Sequence, residues 1–173
     1  MDINIDMVHI VLIEMMEQRL YSDIENHDEY ISANNINNER FLAFKNITKD
    51  LNIDEIQKFV NIMDKKKINH ILIIYCGNPT PAVKNVIDNM INIKKQIELF
   101  NVTDLQYNIT KHYLVPQHVL LNDEEMKEFK IKYDTLIPVI LYSDPICKFY
   151  NFPKGSIIKI IRKNKFISYR IVK

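Results

Sequence analysis

The side chains that could carry chemistry in this sequence do not form a catalytic set. His112 and His118 are the closest pair of histidines, and with no cysteine nearby they make a poor zinc site. We expect both to hydrogen-bond the backbone. Ser143-Asp144-Pro145 places a serine beside an acid, but a serine nucleophile also needs a base and an oxyanion donor, and none is suggested nearby. Asp144 is therefore expected to cap a turn or short helix that Pro145 begins.

Cofactor-binding patterns are also missing. Only two glycines occur, Gly77 and Gly155, whereas phosphate loops and dinucleotide fingerprints need several to bring the backbone close to phosphate. Glu14, Glu17 and Glu25 have spacings that a metal could use, but acids on the outer face of an amphipathic helix are usually solvated. The sequence thus predicts no catalytic residue, no metal site, no cofactor and no small-molecule substrate.

The charge is unevenly distributed along the chain. The net charge is only +1, yet residues 154–173 carry seven basic side chains and no acid, which leaves −6 on the preceding part. Such a split predicts a basic surface that faces an acidic partner, either nucleic acid or protein. A hairpin whose outer face is solvated lysine is the alternative.

The bulk composition favours an intracellular globular protein. Apolar residues make up 47% of the chain, but runs such as residues 71–76 are far shorter than the ~20 residues that span a bilayer. The first residues are acidic and do not resemble a signal peptide. Cys76 and Cys147 are far apart, which indicates free thiols in a reducing compartment. We expect no membrane partner.

The first hundred residues alternate between helical and strand patterns, which is typical of an α/β domain. Helices are predicted at residues 4–20, 54–65 and from Pro81 onward, with Thr80 as an N-cap. Strands are predicted at residues 40–45, 68–76, 97–102 and 105–109. The polar segment 21–40 is expected to be a loop or a short helix. The unbroken apolar run in 68–76 predicts a central strand flanked by helices on both faces.

The pattern changes after Thr110, where four of the six prolines divide the chain into short pieces. Asn122 followed by Glu125 predicts the capped start of a helix. Two strand patterns, 157–163 and 166–172, predict a terminal β-hairpin. We therefore predict two domains. Residues 1–103 would form an α/β domain with a central sheet, and residues 104–173 a small α+β domain ending in the hairpin.

One loop in the N-terminal half could bind phosphate. Residues 77–84 connect the buried strand to a helix N-terminus, where free amides and the helix dipole attract anions. Lys84 would add a positive charge one turn into the helix, and Pro81 would present a rigid apolar tip. The alternative is a plain strand-to-helix connection.

An ordered series of short motifs covers the C-terminal domain. They are His112, Leu114-Val115-Pro116, His118, Leu120 or Leu121, Asp144-Pro145, Gly155, Ile160-Ile161-Arg162-Lys163 and Ser168-Tyr169-Arg170. This series resembles the C-terminal assembly domain of the small subunit shared by eukaryotic RNA polymerases I, II and III, which has an equivalent in the archaeal RNA polymerase. Weaker likeness extends upstream, where Thr80-Pro81-Ala82 resembles a loop of the family's jaw domain.

The resemblance implies a non-catalytic subunit of a multisubunit DNA-directed RNA polymerase. The C-terminal domain would dock on the largest subunit, within reach of other polymerase subunits. The implied docking residues are His112, Pro116, His118, Asp144, Pro145, Gly155, Arg162, Lys163, Tyr169 and Arg170. The N-terminal domain would form part of the lower jaw, with Pro79, Thr80, Pro81 and Lys84 near downstream duplex DNA. Such contacts would be independent of base sequence.

The chain also departs from the family pattern. Members often carry basic residues where Val139 and Tyr142 stand, and the jaw domain is shorter than in eukaryotic members. Compact size and a composition rich in Ile, Asn and Lys suggest a divergent member from a large DNA virus. Its location would then be the host cytoplasm and the virion, or the nucleus if it is cellular. The alternative is a free-standing nucleic-acid-binding or nuclease-like α/β protein.

Overall fold

The chain folds into two compact units, Met1–Tyr107 and Asn108–Lys173. The computed structural model describes residues 3–91, 94–133 and 136–173, without the side chains of residues 47–50 and 91. In these ranges it has two sheets and five α-helices, which confirms the predicted mixture of helix and sheet. No helix of the described ranges is long and apolar enough to cross a membrane.

The first unit is built on a five-stranded mixed sheet. Its elements are α1 (Ile5–Gln18), β1 (Ser22–Asn26), β2 (Tyr30–Asn34), β3 (Arg40–Asp50), α2 (Ile53–Lys66), β4 (His70–Cys76), α3 (Pro81–Ile91) and β5 (Gln96–Asn101). The strand order is β1-β2-β3-β4-β5. The first three strands pair antiparallel, and β4 pairs parallel with both β3 and β5.

Strand β4 is buried on both faces, as its apolar run predicts. Ile71 and Ile73 pack with buried residues of α2 and α3. Leu72 and Ile74 point to the opposite face because side chains alternate along a strand, and they are fully buried as well. Arg19, directly after α1, reaches Glu98 on this second face, so we infer that the apolar side of α1 covers it.

Two sequence-based predictions for this unit are wrong. The polar segment 21–40, expected to be loop or helix, forms β1, β2 and the turns that join them to β3. The backbone bonds of β1 and β2 are made with neighbouring strands, and β1 is almost wholly exposed, so no apolar pattern marks it. The strand expected at residues 105–109 is absent, and the 3₁₀ turns Val102–Leu105 and Ile109–Lys111 occupy this region.

Local hydrogen bonds account for the second error. Asn101 accepts from the backbone N–H of Thr103 at 3.0 Å. Asn108 accepts from the N–H of Thr110, also at 3.0 Å. Asparagine side chains that satisfy a nearby N–H compete with the sheet for the backbone and favour tight turns. The chain therefore turns twice where apolar spacing alone favoured extension.

A buried ionic network lies on the second face of this sheet. Arg19 donates from Nη1 to Glu98 Oε1 and from Nη2 to Oε2, both at 2.8 Å. His70 Nε2 lies 2.7 Å from the same Oε1. Burial by itself would raise the pKa of Glu98, but the charge of Arg19 and the hydrogen bonds from His70 and Arg19 outweigh it and hold the pKa at about 2. Glu98 therefore stays ionised when buried.

The second unit is a four-stranded sheet with helices on its two faces. Its elements are β6 (Gln117–Leu120), α4 (Asp123–Tyr133), β7 (Val139–Ile140), α5 (Pro145–Tyr150), β8 (Ile157–Ile161) and β9 (Ile167–Val172). The strand order is β6-β8-β9-β7. Ile158 and Ile160 pack with α5 on one face, whereas Ile157 and Tyr169 pack with α4 on the other.

The short elements of this unit begin as the sequence predicts. Asn122 and Glu125 bond each other's backbone N–H groups at 2.9 and 3.0 Å, which is the capping box expected at the start of α4. Asp144 Oδ1 accepts from the N–H of Ile146 at 2.9 Å and caps α5. The terminal hairpin of β8 and β9 is confirmed, with Lys165 at positive φ in its turn.

Replacing Glu98 with alanine should destabilise the first unit by about 3–5 kcal/mol, because Arg19 would be left buried without a counter-charge. Urea or thermal unfolding followed by circular dichroism measures this. The double substitution Arg19→Met with Glu98→Leu should recover most of the loss, since it removes both charges. Lys58→Ala, which breaks the exposed Lys58–Glu55 pair, is the control and should leave the unfolding transition unchanged. A small effect of Glu98→Ala would contradict this account.

Candidate functional site

The second unit carries an open groove on the face that also packs α5. Its volume is about 620 Å³. Its lining comes from β6, β7 and the loop after it, the start of α5, β8 and β9. The lining residues are Pro116, His118, Val139, Ile140, Leu141, Ser143, Asp144, Ile160, Arg162 and Arg170. We call this surface the C-terminal groove.

Strand register brings residues that are far apart in sequence to this groove. His118 pairs with Ile160 across β6 and β8, and Ile158 pairs with Arg170 across β8 and β9. Directly opposed residues share a face, and alternate residues of one strand share a face. His118, Ile160 and Arg170 must therefore lie on the same side of the sheet.

His118 is positioned by the backbone beside it. Its Nδ1 lies 2.8 Å from the carbonyl oxygen of Pro116, which can only accept, so Nδ1 carries a proton and donates. Burial lowers the pKa of His118, and the charge of Arg162 lowers it further against the opposing effects of the Pro116 bond and Asp144. The ring is therefore neutral at pH 7, with Nε2 able to accept a hydrogen bond.

The charged residues of the groove have distinct roles. Asp144 uses one oxygen to cap α5, as described above. Arg170 Nη1 donates to the carbonyl oxygen of Val139 at 3.0 Å and ties β9 to the outer edge of β7. Among the residues that the structure describes, neither Arg162 nor Arg170 lies within ion-pair distance of an acid. The groove thus presents two guanidinium groups that form no ion pair with the residues described in the structure.

These groups suit binding better than catalysis. Cys147 lies beneath the groove, but burial and then the nearby Asp144 raise the pKa of its thiol to about 11, so it is not a ready nucleophile. Within the described ranges, no three His, Cys, Asp or Glu side chains are grouped so that they could hold a metal ion. His112 and His118 both bond the backbone, as predicted, since His112 Nδ1 accepts from Leu114 N–H at 3.2 Å.

Half of the predicted docking residues meet in the C-terminal groove. These are Pro116, His118, Asp144, Arg162 and Arg170. The other five lie outside its lining, at His112, Pro145, Gly155, Lys163 and Tyr169.

The other five docking residues lie at other positions of the second unit. Pro145 is exposed at the first position of α5. Gly155 is exposed before β8, and its φ of +83° is a conformation that glycine adopts without strain. The His112 ring lies 4.8 Å from the Tyr113 ring at a tilt of 33°, and the Lys163 ammonium lies 5.7 Å from the centre of the Tyr113 ring.

Tyr169 lies on the opposite side of the sheet from Arg170. Its ring centre is 4.3 Å from that of Phe129 on α4. The Ser168-Tyr169-Arg170 motif therefore divides between the two faces, as any three consecutive strand residues must.

Several lining residues were missed in the sequence. Val139 and Leu141 line the groove and are 40% and 62% exposed, although both are apolar. Their sequence setting, Ile-Pro-Val-Ile-Leu-Tyr, resembles an ordinary buried strand. The signal that could have found them is the proline before Val139, because proline inside a strand pattern indicates an edge strand.

The loop of residues 77–84 lies at the carboxyl end of β4. Gly77 has a φ of +78°, and its carbonyl accepts from Asn101 Nδ2 at 2.7 Å. Thr80 Oγ1 accepts from the N–H of Val83 at 3.4 Å, which confirms Thr80 as the cap of α3. Thr80, Pro81 and Lys84 are exposed, and Pro79 is half-buried. The loop is thus held at both ends and presents a proline and a lysine to solvent.

Comparison with known proteins connects these features to one family. A family model described as RNA polymerase Rpb5, C-terminal domain, matches residues 107–172. Subunit rpabc1 of DNA-directed RNA polymerases I, II and III from Dictyostelium discoideum is 33% identical over 132 residues, which cover 72% of this chain and 67% of the relative. The corresponding subunit of Caenorhabditis elegans is 31% identical over 141 residues, which cover 78% of this chain and 66% of the relative.

A viral relative matches almost end to end. The 454R protein of Invertebrate iridescent virus 6, named as a candidate DNA-directed RNA polymerase subunit, is 33% identical over 178 residues, covering 92% of this chain and 95% of its own length. All these relatives are thus named as polymerase subunits. The chain belongs to the RNA polymerase Rpb5 family, and the resemblance noted in its sequence is confirmed.

The pKa of His118 provides a test of the groove geometry. It should lie below the ordinary histidine value of about 6.5, and Arg162→Ala should raise it, because the substitution removes a nearby positive charge. Titration of the imidazole Cε1–H resonance by NMR measures both values. Lys165→Ala, in the turn of the same hairpin, is the control and should leave the His118 titration unchanged. An equal response to both substitutions would place Arg162 outside the groove.

Proposed function

We propose that this chain is a non-catalytic subunit of a DNA-directed RNA polymerase that acts in transcription. In this proposal residues 104–173 form an assembly domain that docks on the largest subunit, and residues 1–103 form part of the lower jaw near downstream duplex DNA. The observation that carries it is the family match over residues 107–172, which includes every residue of the C-terminal groove. The ten predicted docking residues are retained as the proposed contact set.

The character of the groove supports a protein partner. Exposed Leu141 adjoins the half-buried Pro116 and His118 and two arginines that have no ion-pair partner within the described ranges. Covering apolar surface contributes about 25 cal/mol per Å², and arginine is enriched at the centres of protein interfaces. Two exposed side chains next to the hairpin, Tyr113 and Leu114, extend the apolar surface beyond the groove.

The loop of residues 77–84 supports the jaw assignment in a different way. A jaw must contact a duplex of any sequence, so it needs a fixed position and charge without base readout. The cap by Thr80 and the bond from Asn101 fix the loop, and Lys84 supplies a charge that can contact phosphate. Pro79, Thr80, Pro81 and Lys84 remain the proposed DNA-proximal residues.

The near end-to-end viral relative supports a viral origin, which we also propose. Such a subunit would work in the host cytoplasm and be carried in the virion. A cellular origin would place it in the nucleus.

A tagged copy of the chain should co-purify with the two largest polymerase subunits from cells that make the enzyme. Leu141→Asp should reduce the recovered polymerase about tenfold or more, because it places a carboxylate in an apolar part of the proposed contact. Quantitative mass spectrometry of the purified material measures the stoichiometry.

Ile131→Asp is the matched control for this experiment. Ile131 is 86% exposed on α4, is absent from the groove lining, and should tolerate the same change. Recovery of the wild-type chain without the large subunits would contradict the polymerase assignment. Equal loss with both variants would mean that the groove is not the docking surface.

Lys84→Glu combined with Pro81→Ala should leave assembly intact but weaken contact with downstream DNA. The reason is that both changes lie on exposed positions of the loop and replace a phosphate-binding charge with a repelling one. Photocrosslinking of the assembled polymerase to a labelled template should lose about half or more of the signal from this subunit.

Lys65→Glu is the control for this second experiment. Lys65 is exposed near the end of α2, which leads into the start of β4, so it lies at the opposite end of the sheet from Lys84. It should not change the crosslink. Unchanged crosslinking with the loop variant would rule out the proposed position near DNA.

A further inference from the structure

The charges in the C-terminal groove are unbalanced. Arg162 and Arg170 line it together with one acid, Asp144, which already accepts a hydrogen bond as the cap of α5. His118 is held neutral. Arg170 is half-buried, and a guanidinium removed from water without a counter-charge is unfavourable. The groove therefore carries more positive than negative charge, and a bound anion would stabilise it.

We infer that the groove holds an acidic side chain from an extended segment of the polymerase subunit on which this unit docks. The carboxylate lies between Arg162 and Arg170, where a planar guanidinium can donate two parallel hydrogen bonds to it. The neutral His118 ring is available to accept from the backbone or a hydroxyl of the same segment. This inference rests on the proposed function and adds to it the chemistry of the partner.

The edge of the sheet indicates how such a segment is held. Strand β7 is the last in the order β6-β8-β9-β7 and borders the groove. The carbonyl of Pro138 accepts from Ile171 in β9 and that of Ile140 from Lys173 directly after β9, so the carbonyl of Val139 between them faces outward. The Val139 carbonyl already accepts a hydrogen bond from Arg170. A continuous β-ladder cannot form there, so the segment is bound mainly through its side chains.

The lining also favours a protein anion over nucleic acid. Phosphate backbones carry a charge at every nucleotide, and sites for them are correspondingly basic. Here Asp144 would repel a second phosphate. Leu141, which lines the groove and is 62% exposed, offers an apolar side chain that matches apolar neighbours of a single carboxylate. One acid with apolar neighbours fits this lining better than a polyanion does.

The test uses the polymerase assembled with the full-length chain. A benzoylphenylalanine photocrosslinker in place of Ser143, which lines the groove and is exposed, identifies the occupying segment by mass spectrometry. The crosslinked peptide should belong to a large polymerase subunit and contain Asp or Glu within a few residues of the link. Treating the sample with nuclease before analysis should not release the link.

Charge exchange then tests the pairing directly. Arg162→Glu should lower polymerase recovery about tenfold or more, and Arg162→Lys about threefold, since lysine cannot match the bidentate geometry. Replacing the crosslinked acid with arginine should restore recovery of the Arg162→Glu chain to within about threefold of wild type. The NMR spectrum of each variant of the free chain verifies that it is folded.

The outcomes separate this inference from the proposed function. If the wild-type chain assembles but the crosslinked segment has no acid, or charge exchange does not restore recovery, the acidic anchor is wrong while the polymerase assignment stands. A link released by nuclease would identify a nucleic acid in the groove and overturn the inference. Failure of the wild-type chain to assemble would instead contradict the proposed function.

Discussion

The register of β8 between β6 and β9 is the constraint on which the candidate site depends. His118 opposite Ile160, and Ile158 opposite Arg170, place one histidine and one arginine on the same side. A shift of one residue in this pairing would turn every side chain of a strand to the other face. Such a shift of β9 would turn Arg170 toward α4 and Ile171 toward the groove face. The apolar packing on both faces therefore selects the pairing that also assembles the groove.

The two units differ in whether their arginines have an acid partner. In the first, both guanidinium nitrogens of Arg19 bond the carboxylate of Glu98, and His70 bonds the same carboxylate, so Arg19 has its counter-charge inside the unit. In the second, Arg162 and Arg170 have no acid partner among the described residues, although Arg170 is half-buried. The chain pairs one arginine with an acid internally, whereas these two arginines line a groove without an acid partner among the described residues. That contrast is the physical basis for expecting an external partner at the groove.

Much of the fold could be predicted because its signals are local. The continuous apolar run of β4, the Asn122–Glu125 capping box and the Asp144-Pro145 helix start each depend on residues that are adjacent in the chain. Strand β1 could not be found in this way, since it is polar and is held by pairing with β2, which lies farther along the chain. The turns after β5 formed despite a weak apolar pattern, because asparagine side chains there bond nearby backbone N–H groups and so favour a turn over a strand.

The candidate site was predictable in composition but not in geometry. The motif series identified the residues of the second unit that carry family resemblance, and five of the ten docking residues expected from it meet in one groove. A motif read along the chain nevertheless cannot separate Tyr169 from Arg170, because adjacent strand residues point to opposite faces. It also cannot supply Leu141, whose exposed apolar side chain lines the groove beside the edge strand β7. Residues that act at a sheet surface are defined by their face, and a face is a property of the strand pairing. The basic C-terminal segment allowed several interpretations in the sequence. The strand pairing places its arginines at a groove that carries an excess of positive charge.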